Sequence, residues 1–129
     1  MLLTMNANSQ RAMAEFDISI TDMDEQALDA QPFGIIRLDR DGVVCSYNLY
    51  EEGLSRRKRV NVIGKNFFTE VAPCTHVQEF YGRFLAGVHD RSLNATFGFI
   101  FDFPHGARHV DVSLFYKQAD DSIWVLVRG

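Results

Sequence analysis

The stretch LNATFGFIFDF, residues 93–103, decides the fold class of this 129-residue chain. Apolar side chains occupy every second position of it, and Asn, Thr, Gly and Asp fill most of the positions between them. This period of two is typical of a half-buried β-strand, because successive side chains of a strand point to opposite faces of its sheet. The Pro-His-Gly sequence at 104–106 predicts that the strand ends there.

Shorter apolar runs on either side predict four further strands. Residues 33–38 and 43–47 are separated by Asp-Arg-Asp-Gly at 39–42, which indicates a hairpin. Two more strands are predicted at 110–114 and 123–127. Strands joined by short turns favour an antiparallel sheet with its helices on one side.

The longest predicted helix covers residues 78–90, where apolar side chains form one stripe at helical spacing: Phe80, Tyr81, Phe84, Leu85 and Val88. Residues 1–31 have short helical patches, such as 11–16, without a long amphipathic stripe. We therefore expect one α+β domain over 1–129, with a short helical N-terminal cap at 1–31. Its core at 32–129 would be a five-stranded antiparallel sheet flanked by helices.

Composition argues against several classes of partner. The net charge of −4 disfavours a nucleic-acid or anionic-membrane surface, which would need an excess of Lys and Arg. The sequence has no run of about 18 apolar residues, and its first residues are too polar for a signal peptide. We therefore expect a cytoplasmic protein without a nucleic-acid or membrane partner. In the cytoplasm Cys45 and Cys74 would stay reduced, with Cys45 as a small core residue of the second strand.

Cys74 is the first candidate for chemistry. It follows Val-Ala-Pro at 71–73 and precedes Thr75, which with Gln78 predicts a capping box at a helix start. Helix-end amides favour a thiolate, and such a thiolate could carry a covalent acyl group. An ordinary cysteine is one alternative. A thiol enzyme is another, although His76 is the sole nearby base and no orienting carboxylate is evident.

A second candidate is the set Tyr47, Glu51 and Ser55, which would form one polar ridge if the segment after Tyr47 is helical. Directed inward, the ridge could hold a buried anion, because a charge away from water needs donated hydrogen bonds. Directed outward, it would be ordinary solvated surface.

Two other patterns favour plain structural roles. The run RRKR at 56–59 is short and lacks interleaved aromatic residues, so we expect a solvated turn with Arg57 folded inward. His105 and His109 are four apart, but Gly106 and the preceding proline argue against a helix that presents both to a metal.

Several segments of the sequence together match the pattern of one known family. They are Phe33-Gly34, Leu38-Asp39, Asp41-Gly42, Tyr47-Asn48, Glu51, Arg57, Ile63-Gly-Lys-Asn-Phe-Phe68, Val71-Ala-Pro-Cys-Thr75, Glu79-Phe-Tyr-Gly82, Leu93-Asn94, Phe101-Asp102 and Trp124-Val125. From residue 33 onward the match needs no gap, and the motifs GKNFF and VAPCT are specific when they occur together. By these residues the sequence resembles the photoactive yellow proteins, bacterial blue-light photoreceptors with a PAS fold.

The resemblance implies that Cys74 holds 4-hydroxycinnamic acid (p-coumaric acid) through a thioester. Tyr47 and Glu51 would donate hydrogen bonds to its phenolate oxygen, and Ser55 would support Tyr47. The other chromophore-binding residues implied by the resemblance are Arg57, Phe67 and Phe101. Burial should keep Glu51 protonated, so that it can act as a donor.

The same resemblance implies a function. Light would isomerise the chromophore from trans to cis, Glu51 would pass its proton to the phenolate, and partial unfolding would detach the cap in a reversible photocycle. The protein would be a monomeric photosensor, not an enzyme, and would act on an unknown downstream signalling protein. A PAS-like interaction module without pigment remains the alternative.

Four positions depart from the family pattern and predict altered tuning. Ser55 replaces the usual Thr, Phe99 the usual Tyr, and Tyr50 a small residue. Tyr50 would add a phenol close to the chromophore and could change the dark-state colour. His105 stands where a Met is linked to dark recovery, so recovery should depend on pH.

Overall fold

A computed structural model describes residues 18–129, so the helical patch predicted at 11–16 lies outside the described residues. Five strands form one sheet in the order β2-β1-β5-β4-β3, and all neighbours are antiparallel. The strands are β1 (Gly34–Leu38), β2 (Val44–Tyr47), β3 (Asn94–Phe103), β4 (Gly106–Lys117) and β5 (Ser122–Arg128). The predicted five-stranded antiparallel sheet is confirmed.

Turn residues set two of the hairpins, the one between β1 and β2 and the one between β3 and β4. In the first, the Asp39 carboxylate accepts from the backbone N–H groups of Asp41 and Val43, both at 2.9 Å. In the second, Phe103 pairs directly with Gly106, whose φ of 137° is readily adopted only by glycine. Because this loop is so short, β4 begins at Gly106 and is longer than the predicted 110–114.

From Ile20 onward, three α-helices accompany the sheet: α1 (Glu25–Asp29), α2 (Leu49–Ser55) and α3 (Arg83–Asp90). A π-helical turn, Gln78–Gly82, runs directly into α3, so the predicted helical extent of 78–90 is confirmed. Leu85 departs from the predicted apolar stripe, because its side chain is 48% exposed.

The sheet separates two apolar clusters, because neighbouring strand residues such as Ile35 and Ile36 point to opposite faces. The larger cluster holds Ile36 and the helix α3. The second cluster contains Ile20 and Leu28, so residues 18–30, here called the cap segment, cover the other face. The expectation that all helices lie on one side is therefore wrong, because short pieces without a long stripe still bury single apolar side chains.

Cys45 is half-buried and does not belong to either cluster, so its prediction as a core residue is also wrong. Its neighbour Val44 fills the larger cluster, which turns Cys45 toward the opposite face near the cap segment. Within residues 18–129, none of the helices has the length and apolar character needed to span a bilayer.

Candidate functional site

A cavity of about 400 Å³ lies between α2, residues 67–74 and β3. It brings together every predicted site residue except Tyr50: Tyr47, Glu51, Ser55, Arg57, Phe67, Cys74 and Phe101. Tyr50 does not line the cavity and is 39% exposed. Successive side chains of a helix point in different directions, so the inward position of Glu51 turns Tyr50 outward. The expectation that Tyr50 lies close to this site is not met.

The start of α2 explains how the polar residues meet. Tyr47 is the last residue of β2, and Asn48 caps the helix with its side-chain Oδ1, which accepts from the Glu51 N–H at 3.1 Å. Tyr47 therefore does not share a helix with Glu51 and Ser55, and the single-ridge interpretation is wrong for it. All three side chains are nevertheless buried, so the inward alternative is the correct one.

A short hydrogen-bond chain links these residues. The Tyr47 hydroxyl donates to Ser55 Oγ at 2.6 Å, and Ser55 Oγ donates to the Glu51 backbone carbonyl at 2.8 Å. Because a serine hydroxyl has a single proton, this arrangement directs the Tyr47 proton at Ser55. Burial, followed by the charge of Glu51, raises the pKa of Tyr47 above its ordinary value. Tyr47 is thus a neutral phenol at the cavity wall.

The carboxyl of Glu51 is the most unusual group of the site. The residue is 3% exposed, and its Oε1 has no hydrogen-bond partner among the described residues. Burial raises the pKa of Glu51 to about 8, against the smaller lowering effect of the Tyr47 hydroxyl. At neutral pH this carboxyl is therefore mainly protonated and is available as a hydrogen-bond donor.

Space for that carboxyl is provided by Gly34, which was not among the predicted site residues. A Cβ placed on Gly34 would overlap Glu51 Oε1. The glycine lies in β1 and the carboxyl in α2, and no pattern within either element indicates this contact. The one signal in the sequence that includes this glycine is the pair Phe33-Gly34, which matches the family pattern.

Arg57 is folded inward, as predicted. Its Nη1 donates to the Val71 backbone carbonyl at 2.6 Å, and its backbone N–H donates to Ser55 Oγ at 3.3 Å. The guanidinium therefore joins the end of α2 to residues 67–74 across the cavity. Glu70 and Asp102 also line the cavity and were not predicted.

Cys74 lies in the cavity wall, but its local structure differs from the prediction. It occupies a single 3-10 turn, Pro73–Thr75, and is half-buried. The Thr75 hydroxyl donates backward to the Ala72 carbonyl at 2.6 Å and does not cap a helix. The next helical turn begins at Gln78 without a side-chain cap, so the predicted capping box is wrong.

The rest of the wall is aromatic. Phe101 stacks on Phe103 with ring centroids 5.4 Å apart, and Phe103 stacks on His105 at 5.1 Å. A ring nitrogen of His105 lies 3.1 Å from the Leu54 carbonyl oxygen. Phe103 and Pro104, which also line the cavity, were missed, although Phe103 belongs to the alternating stretch at 93–103.

Comparison with known proteins agrees with this architecture. The family model described as the PAS fold matches residues 22–127. The photoactive yellow protein of Halochromatium salexigens is 42% identical over 114 residues, which cover 88% of this chain and 91% of the relative. That of Rhodothalassium salexigens is 39% identical over the same shares of both chains. The chain belongs to the photoactive yellow protein family.

A solved structure extends the likeness to three dimensions. The photoactive yellow protein domain of the sensor histidine kinase Ppr from Rhodospirillum centenum is 42% identical, with a TM-score of 0.82. The match covers 86% of this chain and 97% of that domain. A PAS domain of an HTR-like protein from Haloarcula marismortui, 19% identical with a TM-score of 0.61, shows the shared fold alone.

Membership in the family decides between the function classes. Photoactive yellow proteins are photoreceptors and not enzymes, so the thiol-enzyme alternative is set aside. The family also implies a bound chromophore and a sensory role in which the PAS domain signals to a partner.

Proposed function

We propose that this chain is a blue-light photoreceptor that carries 4-hydroxycinnamic acid as a thioester on Cys74. The observation that supports this most is the buried, protonated carboxyl of Glu51 in the wall of the same cavity as a half-buried thiol. A protonated carboxyl away from water needs an acceptor for its proton, so its place in this wall favours a ligand oxygen in the cavity as that acceptor. The aromatic walls suit a flat ring.

The polar residues would hold the ring oxygen of the bound acid in its ionised form. Glu51 is protonated at neutral pH and can donate one hydrogen bond. For Tyr47 to donate a second one, the Ser55 hydroxyl must turn from the Glu51 carbonyl toward Tyr47. Two donors are needed because an ionised oxygen away from water is costly without charge-assisted hydrogen bonds.

When bound, the group supplies absorption of blue light and trans-to-cis isomerisation of its double bond. Glu51 then passes its proton to the phenolate oxygen and remains as a buried carboxylate. An unpaired buried charge costs about 3–5 kcal/mol, a large part of a typical domain stability of roughly 5–15 kcal/mol. Partial unfolding relieves this cost: the cap segment separates from the sheet, as part of the detachment predicted for the N-terminal cap.

Residues 1–129 form one photosensory domain that acts as a cytoplasmic monomer and signals to a downstream protein of unknown identity. The Rhodospirillum centenum kinase supports this kind of partner, because its photoactive yellow protein domain is part of a sensor histidine kinase.

The test is acylation of the purified chain with an activated 4-hydroxycinnamate, followed by intact mass and visible spectroscopy. Wild type and the Cys45→Ala control should gain one acyl group and a visible band that blue light bleaches reversibly. Cys74→Ala should gain neither. A wild-type protein that stays unmodified and colourless would contradict the proposal and favour the PAS module without pigment.

A further inference from the structure

Arg59 contacts three carboxylates that belong to two different helices. Its guanidinium lies 2.9 Å from Glu25 Oε1, 3.0 Å from Asp29 Oδ1 and 3.5 Å from Glu52 Oε2. Glu25 and Asp29 belong to α1 in the cap segment, whereas Glu52 follows Glu51 in α2. We call these four residues the Arg59 cluster. It connects the cap segment with the helix that carries the buried acid.

Backbone hydrogen bonds reinforce the cluster. The Arg59 N–H donates to Glu52 Oε2 at 2.6 Å, so the turn after α2 is fastened to α2 itself. Asp29 Oδ1 accepts from the Leu49 N–H at 2.8 Å, at the first residue of α2. Asp29 is therefore held by Arg59 and by the start of the helix at once.

The exposed fraction of each carboxylate side chain determines how strongly its ion pair with Arg59 holds the cap segment on α2. Glu25 is 76% exposed, so its ion pair contributes little. Asp29 is 27% exposed and Glu52 11%, against 22% for Arg59, so solvent and salt screen these pairs less. Without the guanidinium, the carboxylates of α1 and α2 would face each other with no other cation of residues 18–129 paired to them, and would repel.

We propose that Arg59 is an ionic latch that holds the cap segment on α2 and releases it when α2 is displaced. The dark-state part of this inference stands on the contacts above, and its link to light rests on the proposed function. Glu51 and Glu52 are adjacent, so a movement of α2 that relieves a carboxylate at Glu51 also moves Glu52. Because Arg59 is bound to Glu52 through its backbone and its side chain, it moves too and loses Asp29.

In the latch, Arg59 is either bound to Asp29 or released from it. The charge state of Glu51 and the position of the cap segment both shift this equilibrium, which is the physical requirement for coupling between them. It was not evident in the sequence, where residues 56–59 indicated a solvated turn. The partners Glu25 and Asp29 lie 34 and 30 positions away along the chain.

The test is amide hydrogen exchange of residues 24–30 in the full chain, in the dark and under blue light. Arg59→Gln should speed dark exchange in this segment by roughly threefold to tenfold, the size expected for two partly buried ion pairs. Raising the salt concentration should speed exchange in wild type and have little effect in Arg59→Gln. Adding Asp29→Asn to Arg59→Gln should change exchange little further, because the ion pair that the second substitution removes is already lost, and an amide oxygen can still accept from the Leu49 N–H.

Arg91→Gln is the matched control, because Arg91 also pairs with an aspartate, Asp121, at 2.9 Å, outside the cap segment and α2. Its exchange at 24–30 should equal that of wild type. Unchanged dark exchange in Arg59→Gln, or an equal increase in Arg91→Gln, would overturn the latch. A wild-type chain that takes up no pigment would refute the proposed function alone, since the dark comparison needs no light.

Discussion

Gly34 of β1 and Glu51 of α2 share one packing space: the strand residue has no side chain where the helix residue places its carboxyl. The carboxyl is thereby buried against a backbone without an acceptor for its Oε1 among the described residues. The acid at the centre of the proposed photochemistry thus depends on a glycine in another element.

Gly34→Ala should destabilise the protein by about 1–3 kcal/mol, because the added methyl group forces the Glu51 side chain out of its position. Urea unfolding measures the loss. Gly53→Ala is the control, since a Cβ there meets nothing within 4 Å, and alanine in a helix should stabilise by about 0.5–1 kcal/mol. Equal effects of the two substitutions would contradict the shared packing space.

The stability of the pigment-free chain should fall as pH rises from about 5 to 8. The pKa of Glu51 is about 8 in the folded protein, against an ordinary value of 4.5, so in this range the folded state keeps a proton that the unfolded state releases. The free energy of unfolding therefore decreases with pH, by at most about 1.4 kcal/mol per pH unit. Unfolding curves at several pH values measure this slope.

Glu51→Gln isolates this contribution from those of the other titrating groups. The variant cannot ionise, so its stability relative to wild type should increase steadily between pH 5 and 8. Parallel pH profiles of the two proteins would show that Glu51 does not hold its proton.

Glu51→Gln should also keep the pigment on Cys74 while abolishing proton transfer. An amide can donate a hydrogen bond but has no acidic proton to give. The light-minus-dark infrared spectrum of wild type should contain a protonated-carboxyl band that the variant lacks. Glu70→Gln, which changes an exposed carboxyl of the same cavity, should retain the band. A band that persists in Glu51→Gln would assign the proton to another group.

Dark recovery after a light flash should depend on pH between 5 and 8. His105 contacts the Leu54 carbonyl and stacks on Phe103, a residue of the cavity wall, so it joins the end of α2 to the loop between β3 and β4. His105→Met should flatten the profile. His89→Gln, at a side chain that is 89% exposed, should leave it as in wild type. Recovery that is constant over this range in wild type would refute the prediction.

Prediction from the sequence was most accurate for elements whose apolar residues follow a single, regular period. The alternation at 93–103 appears as β3, and the extent of 78–90 is helical as expected. Predictions from short polar motifs were less accurate. Thr75 followed by Gln78 has the spacing of a capping box, but the threonine hydroxyl bonds to Ala72 in its own turn. A local motif does not determine which of several nearby acceptors a hydroxyl takes.

Seven residues of the cavity wall followed from the sequence and its family resemblance, namely Tyr47, Glu51, Ser55, Arg57, Phe67, Cys74 and Phe101, whereas their local arrangement did not. Tyr47 meets Ser55 because a strand end and a helix pack together, not because they share a helix face. Gly34 and Arg59 act through contacts between separate elements, and no spacing along one element reports such contacts.

The sheet works as a partition, with the cavity on one side and the cap segment on the other. One side-chain amide touches both compartments. Asn48 Nδ2 donates to the Leu28 and Phe33 carbonyls at 2.9 and 3.0 Å, while its Oδ1 accepts from the Glu51 N–H at 3.1 Å. A movement of the first turn of α2 can therefore reach the cap segment on the other face of the sheet through Asn48, without any change in the strand register.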